Sequence, residues 1–133
     1  LRALSWAILA PNPHNRQPWM VDLSVDGQVT LLVDTDRLLP QTDPFSRQIT
    51  IGLGCFLEVM RMAAAEDGQE VTFDLFPQGD DPARLDTRPV AVARFRAAAA
   101  TPDRLFVQVP ARRTLKEPYD RTVRCRPPIW PRS

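Results

Sequence analysis

From Asp43 to Asp67 the chain carries Ile49, Ile51, Leu53, Phe56, Leu57, Val59, Met60, Met62 and Ala63 to Ala65. Polar side chains and a glycine are confined to a narrow stripe at Arg47, Thr50, Gly54, Glu58 and Arg61. Thr42 or Asp43 can cap a helix here, Pro44 suits its first turn, and Gly68 suits the position just past its end. The spacing predicts one helix over 43–67, apolar around most of its circumference, which must be buried on several sides. Gly52 and Gly54 cost such a helix about 1 kcal/mol each relative to alanine. Close packing against another helix or a ligand would offset that cost. Two arrangements meet the requirement: the core helix of a single domain, or a helix at the centre of a dimer or of two fused halves.

Short runs of period-two alternation supply the layer that such a helix needs. Trp19, Val21, Leu23 and Val25 share one face, Asp26-Gly27 is a tight-turn signal, and Val29, Leu31 and Val33 repeat the alternation. This predicts a hairpin of Trp19–Val25 with Val29–Asp34. Val71–Phe76 and Pro89–Phe95 read as two more strands. Leu1 to Leu9 reads as the end of a helix. Thr35 to Leu39 is a connector in which Arg37 can pair with Asp34 or Asp36. Gln78 to Arg88 reads as a surface loop, and Ala97 to Ala100 fits helix or loop. Thr101-Pro102-Asp103 starts a helix whose apolar face is Leu105, Phe106 and Val109. The expected fold is α+β, an antiparallel sheet packed around a long buried helix.

At 133 residues the chain can build one core and not two full domains. The net charge is +1, so the whole chain is no polyanion binder. Residues 1–100 carry nine Arg and thirteen Asp or Glu, a net of −4, and residues 101–133 carry a net of +5. That asymmetry suits an anion site near the C-terminal end, or a solvated basic tail. A nucleic-acid tail is disfavoured, because Phe106, Tyr119 and Trp130 are too few for stacking recognition. Cys55 lies in an apolar run and reads as a core residue; with Cys125 it makes no disulfide framework. One histidine and no paired Cys spacing exclude a standard zinc site. No apolar run reaches the ~20 residues of a membrane span. The chain begins without methionine, and upstream sequence is expected.

Two constellations carry chemistry. In Pro11-Asn12-Pro13-His14-Asn15-Arg16-Gln17-Pro18-Trp19 the prolines fix φ and remove donors, and they push Asn12 and Gln17 toward extended geometry. Asn15 and Gln17 each offer donor and acceptor groups. Such a stiff loop can hold a flat, polar-edged ligand, or simply connect a helix to a strand. His14 can polarise a substrate or act as an ordinary hydrogen-bonding residue. Arg112-Arg113-Thr114-Leu115-Lys116 sets three cations and a hydroxyl within five residues, which suits a phosphate monoester or a solvated face. Ser5, Ser24 and Ser46 lie in no nucleophile motif, and no Gly-x-Gly-x-x-Gly occurs.

Ala10 to Trp19 resembles the flavin-contacting loop of the FMN-dependent nitroreductase family, which usually reads Ala-Pro-Ser-x-x-Asn-x-Gln-Pro-Trp. Asn12 departs from it. Arg112 to Lys116 is similar to that family's phosphate segment, Arg-Arg/His-Ser-x-Arg/Lys, with Thr114 for Ser. The resemblance covers Leu1 to about Tyr119. It implies Pro11, Asn12, Asn15, Gln17, Arg112, Arg113, Thr114 and Lys116 as cofactor-binding residues, with no catalytic side chain and no metal ligand. It implies FMN as cofactor, NAD(P)H as electron donor and a nitro or quinone-like acceptor. It gives Arg113 at least about tenfold of FMN affinity, one charge-assisted contact's worth.

In typical members the phosphate segment comes first. Here it follows the loop by about a hundred residues. That order looks like the dormancy-associated nitroreductase-like subgroup, which resembles two halves fused in one chain. Residues 1–109 would then be a first half lacking its start, 110–124 the opening of a second half, and 125–133 an irregular or foreign tail. The implied protein is a cytoplasmic NAD(P)H-dependent oxidoreductase when full length, with no nucleic-acid or membrane partner. It would be a homodimer or associate through helix 43–67, and this portion would bind FMN weakly or not at all. A flavin-sequestering protein without turnover, or a non-functional fragment, is the alternative.

Overall fold

The computed structural model describes residues 2–81, 83–118 and 122. The expectations for Leu1, Tyr119, Cys125 and the tail 125–133 lie outside them. Among the described residues two helices, α1 (Arg2–Ala7) and α2 (Arg47–Glu66), accompany four strands: β1 (Trp19–Asp22), β2 (Gln28–Val33), β3 (Gln69–Leu75) and β4 (Ala91–Ala97). Three short 3-10 turns lie at Pro13–Asn15, Thr35–Arg37 and Phe106–Gln108. The sheet runs in the order β1-β2-β4-β3 with every pair antiparallel. The fold is α+β as expected, with α2 as the centre of the core.

Alternation explains β2, which buries Val29, Leu31 and Val33. β4 lies between β2 and β3 and is apolar in a run, with Ala91, Val92 and Ala93 all buried. Its alanines share one buried cluster with Leu53, Phe56 and Met60 of α2, whose bulk needs small neighbours. α1 packs on α2, and Arg2 forms an ion pair with Asp67 at the far end of that helix.

Strand bounds differ from expectation in ways that polar pairs explain. β3 and β4 run 69–75 and 91–97, not 71–76 and 89–95, because pairing carries on past the apolar residues. There Glu70 stands opposite Arg96 and forms an ion pair with it. The β4 strand thereby takes in Ala97, and 98–100 is irregular. β1 stops at Asp22 and does not reach Val25. The Asp22 carboxylate accepts from the Ser24 N–H at 2.8 Å, ending the pairing in a turn and holding that carboxyl below its usual range. Val21, Leu23 and Val25, the apolar face of the alternation, are exposed. β1 is an edge strand: α2 covers its first residue, where Trp19 meets Phe56, and leaves Val21 and the residues beyond it open.

The long helix begins at Arg47, not Asp43. Asp43 and Thr42 donate their N–H groups to Leu39 O at 2.7 and 3.2 Å, and Ser46 takes left-handed backbone at φ 53°. Asp43 still serves the helix: its buried carboxylate accepts the Ile49 N–H at 3.0 Å across that turn. At the other end Gly68, at φ +66°, stands just past the helix as expected. Leu53 and Phe56 are buried, but Ile51 is 62% exposed, and Phe45 beside the helix start is exposed too. Ile51 thus stands exposed among the polar residues and glycine of the outer stripe, Arg47, Gln48 and Gly54. By length and composition α2 could cross a membrane, yet it is the buried helix of this core.

After Thr101 the expected helix is only a 3-10 turn. Its three-residue period sets Phe106 and Val109 inward and leaves Leu105 exposed. Phe106 meets Trp6 of α1 edge-on at 4.8 Å. Arg61, bonded to Glu58 at 2.6 Å, also reaches Asp103 at 3.5 Å; its hydrogen bond to Glu58 raises its already high pKa. These contacts dock 103–109 on the helices.

Gly54 has nothing within 4 Å of where a Cβ would stand. Gly54→Ala should therefore stabilise the chain by about 0.5–1 kcal/mol through helix propensity alone. A urea unfolding curve with an unmoved or lower midpoint would contradict this.

Candidate functional site

The loop after α1 is wound unusually tightly. His14, Asn15 and Gln17 take left-handed backbone at φ 50°, 52° and 48°. Asn12 is extended, as a residue before proline should be, at φ −151°. Gln17, also before proline, is not extended. Its N–H is drawn back to the Asn12 side-chain oxygen at 2.8 Å, and that bond holds it in the left-handed region. Asn12 also donates from Nδ2 to Ala10 O at 3.3 Å. The asparagine that departs from the family pattern is thus the internal tie of the loop.

Gly52 explains how the loop comes so close to α2. A Cβ at Gly52 would stand 3.3 Å from Asn12 Cβ and 3.4 Å from Pro11 O. The glycine that costs the helix propensity lets the loop rest on it. Pro18 is fully buried, and Trp19 lies against Phe56 at 5.1 Å between ring centroids.

The segment Arg112 to Lys116 reaches the same place from the other side. It follows directly from the docked turn, with Arg112 N–H donating to Gln108 O at 2.9 Å. A cleft of about 520 Å³ lies between them. Pro11, Asn12, Asn15 and Gln17 line one side, and Arg112, Thr114 and Lys116 line the other. The Arg112 guanidinium donates to Thr114 Oγ1 at 3.1 Å. Seven of the eight residues singled out in the sequence thus meet in one cleft. Arg113 does not line it; its guanidinium turns back to Pro110 O at 3.1 Å and Arg112 O at 2.8 Å. Ile8 and Leu9, exposed at the end of α1, form an apolar wall that sequence reasoning missed. In the sequence they read only as the end of a helix, which stops at Ala7. His14 lines the cleft too, with its side chain exposed.

The cleft has an apolar wall, an edge of amides and imidazole, and a cationic end with a hydroxyl. That arrangement can take a flat heteroaromatic body carrying an anionic group. Among the described residues no cluster of His, Cys, Asp or Glu could hold a metal ion.

No protein-family model matches the chain. It is 36% identical over 93 residues to "Putative NAD(P)H nitroreductase acg" of Mycobacterium tuberculosis, a match covering 70% of this chain and 28% of that protein. It is 33% identical over 88 residues to "Uncharacterized protein Rv3127" of the same organism, covering 64% and 26%. The chain therefore spans little more than a quarter of the length of these curated relatives. Among solved structures it resembles one named as a putative NADH oxidase from Clostridium acetobutylicum. The TM-score is 0.57 at 14% identity, over 77% of this chain and 79% of that one. It also resembles a nitroreductase family protein from Clostridium difficile 630, at TM-score 0.53 and 18% identity over 91% and 83%. At such identities the structural likeness establishes the fold. Sequence and fold agree, and the chain is nitroreductase-like, its resemblance to that family holding at family level.

Proposed function

We propose that this chain contributes an FMN-binding cleft to an NAD(P)H-dependent oxidoreductase of nitroreductase type, with nitro or quinone-like compounds as acceptors. One observation carries the reading: two motifs about a hundred residues apart in sequence line a single cleft. The donor set suits the group. Arg112, Lys116 and the Thr114 hydroxyl offer charge and hydrogen bonds to a phosphate monoester. Asn15 and Gln17 offer paired donors and acceptors to a ring edge. Ile8 and Leu9 offer apolar surface to a ring face. Bound there, FMN would supply the electron transfer, and the protein would hold, orient and tune it.

Two exposed apolar side chains, Phe45 before α2 and Ile51 on it, support association through this region, with a second copy or with a fused half. Arg112, Thr114 and Lys116 are exposed in the chain alone, so its own affinity for FMN is expected to be weak.

The test is NMR titration of the chain with FMN and with riboflavin, which lacks the phosphate. FMN should move the amides of Asn15, Gln17, Arg112, Thr114 and Lys116, and riboflavin those of the loop only. Saturating FMN that leaves all five unmoved would refute the reading. Asn15→Ala should alter the potential of bound flavin more than its affinity, because Asn15 sits away from the cationic segment. Potentiometric titration of the complex checks this.

A further inference from the structure

Three non-glycine residues of four in a row, His14, Asn15 and Gln17, are held at positive φ. Each such residue costs free energy and persists only where its surroundings over-determine it. The Asn12 tie accounts for Gln17. The residue between, Arg16, is fixed from outside the loop. Its Nε donates to Arg37 O and its Nη2 to Asp36 O, both at 3.1 Å. In return Arg37 Nη1 donates to Arg16 O at 3.0 Å, and Arg37 Nε pairs with Asp34 Oδ2 at 3.0 Å. Asp34 closes the circuit by donating its N–H to Pro18 O at 2.7 Å. Neither arginine lines the cleft of Asn15, Gln17 and Lys116.

We propose that Arg16 and Arg37 are positioning residues, whose reciprocal guanidinium–carbonyl clamp fixes how Asn15 and Gln17 face the cleft. The proposal rests on the reading of that cleft as a binding site. The clamp fastens the strained loop to the connector after β2, which belongs to the sheet. It needs a planar fork on Arg37, because one side chain must reach a carboxylate and a carbonyl at once. A lysine keeps the charge beside Asp34 and has only one nitrogen, so it cannot replace the second bond in the same geometry.

The experiment is amide hydrogen exchange on the 133-residue chain and its Arg37→Lys, Arg37→Ala and Arg16→Ala variants. All three variants should speed exchange at Gln17 by about tenfold or more while α2 amides keep their protection, the mark of local opening. In the same variants, FMN should perturb the Asn15 and Gln17 amides less and those of Arg112 and Lys116 as in wild type. An Arg37→Lys variant that exchanges like wild type would reduce the role to charge and overturn the clamp. Loss of protection in α2 would make Arg37 a residue of global stability and overturn it as well. If wild type binds no FMN, the cofactor reading falls, while the exchange rates at Gln17 still decide the clamp.

Discussion

Phe56→Ala is expected to destabilise the fold by about 3–5 kcal/mol, the usual cost of emptying a buried aromatic site. Phe56 is 1% exposed and shares its cluster with Leu31, Leu53 and Met60. Its ring also backs Trp19, the residue that ends the cleft loop and starts β1. Set against a typical domain stability of roughly 5–15 kcal/mol, such a loss removes a large share of the total. Ile51→Ala is the control. Ile51 lies on the same helix at 62% exposure, and its removal should change stability by no more than about 0.5 kcal/mol in dilute solution. Guanidinium unfolding followed by tryptophan fluorescence measures both. Equal effects from Phe56 and Ile51 would mean that the inner face of α2 is wrongly placed.

The legible parts of the fold were those where one side of a segment meets one partner. The alternation of Val29, Leu31 and Val33 marked a strand with a buried face, and β2 is that strand with that face. The apolar run of α2 marked a helix covered on several sides, and most of its circumference is covered. Legibility failed where a neighbour was absent. The alternation of Trp19, Val21, Leu23 and Val25 is as regular as that of β2, yet β1 lies at the sheet edge, where α2 covers Trp19 and leaves the rest open. Nothing local to those residues says that they belong to an edge. Ile51 fails for the same reason on α2.

At the cleft, residue types were legible and their division of labour was not. The resemblance makes Asn12 a cofactor-binding residue; it lines the cleft, and its oxygen accepts from Gln17 N–H within the loop. Arg113 looked equivalent to Arg112, but the chain direction after Pro110 turns its guanidinium onto backbone carbonyls. Gly52 and Gly54 were alike in sequence. The structure separates them, one under Asn12 and one open to solvent. Arg37 was legible as a partner of Asp34, and its second bond, to Arg16 O, depends on a loop twenty-one residues away.

Removing Arg112 and Lys116 together is expected to lower FMN affinity by about a hundredfold. A hydrogen bond to a charged group is worth about 1.5–3 kcal/mol. Both residues are exposed, so the lower end applies, and about 1.4 kcal/mol is a factor of ten for each. Arg113→Ala should cost far less than its place in the motif suggests, because its guanidinium is spent on Pro110 O and Arg112 O and stands off the cleft. Thr114→Val should fall between, losing one neutral donor worth about 0.5–1.5 kcal/mol together with the partner of Arg112. The charge assignment also sets a sign for salt. Raised ionic strength should weaken FMN binding to wild type, because exposed charges are screened beyond about 10 Å at 0.1 M, and should scarcely affect the double variant. Riboflavin, with no phosphate, should bind wild type and the double variant equally. Titration of both ligands into wild type, Arg113→Ala and the Arg112→Ala, Lys116→Ala double variant separates these outcomes. If the double variant binds FMN as wild type does, the basic segment is a solvated face, and the cleft must grip its ligand through the Pro11–Gln17 loop alone.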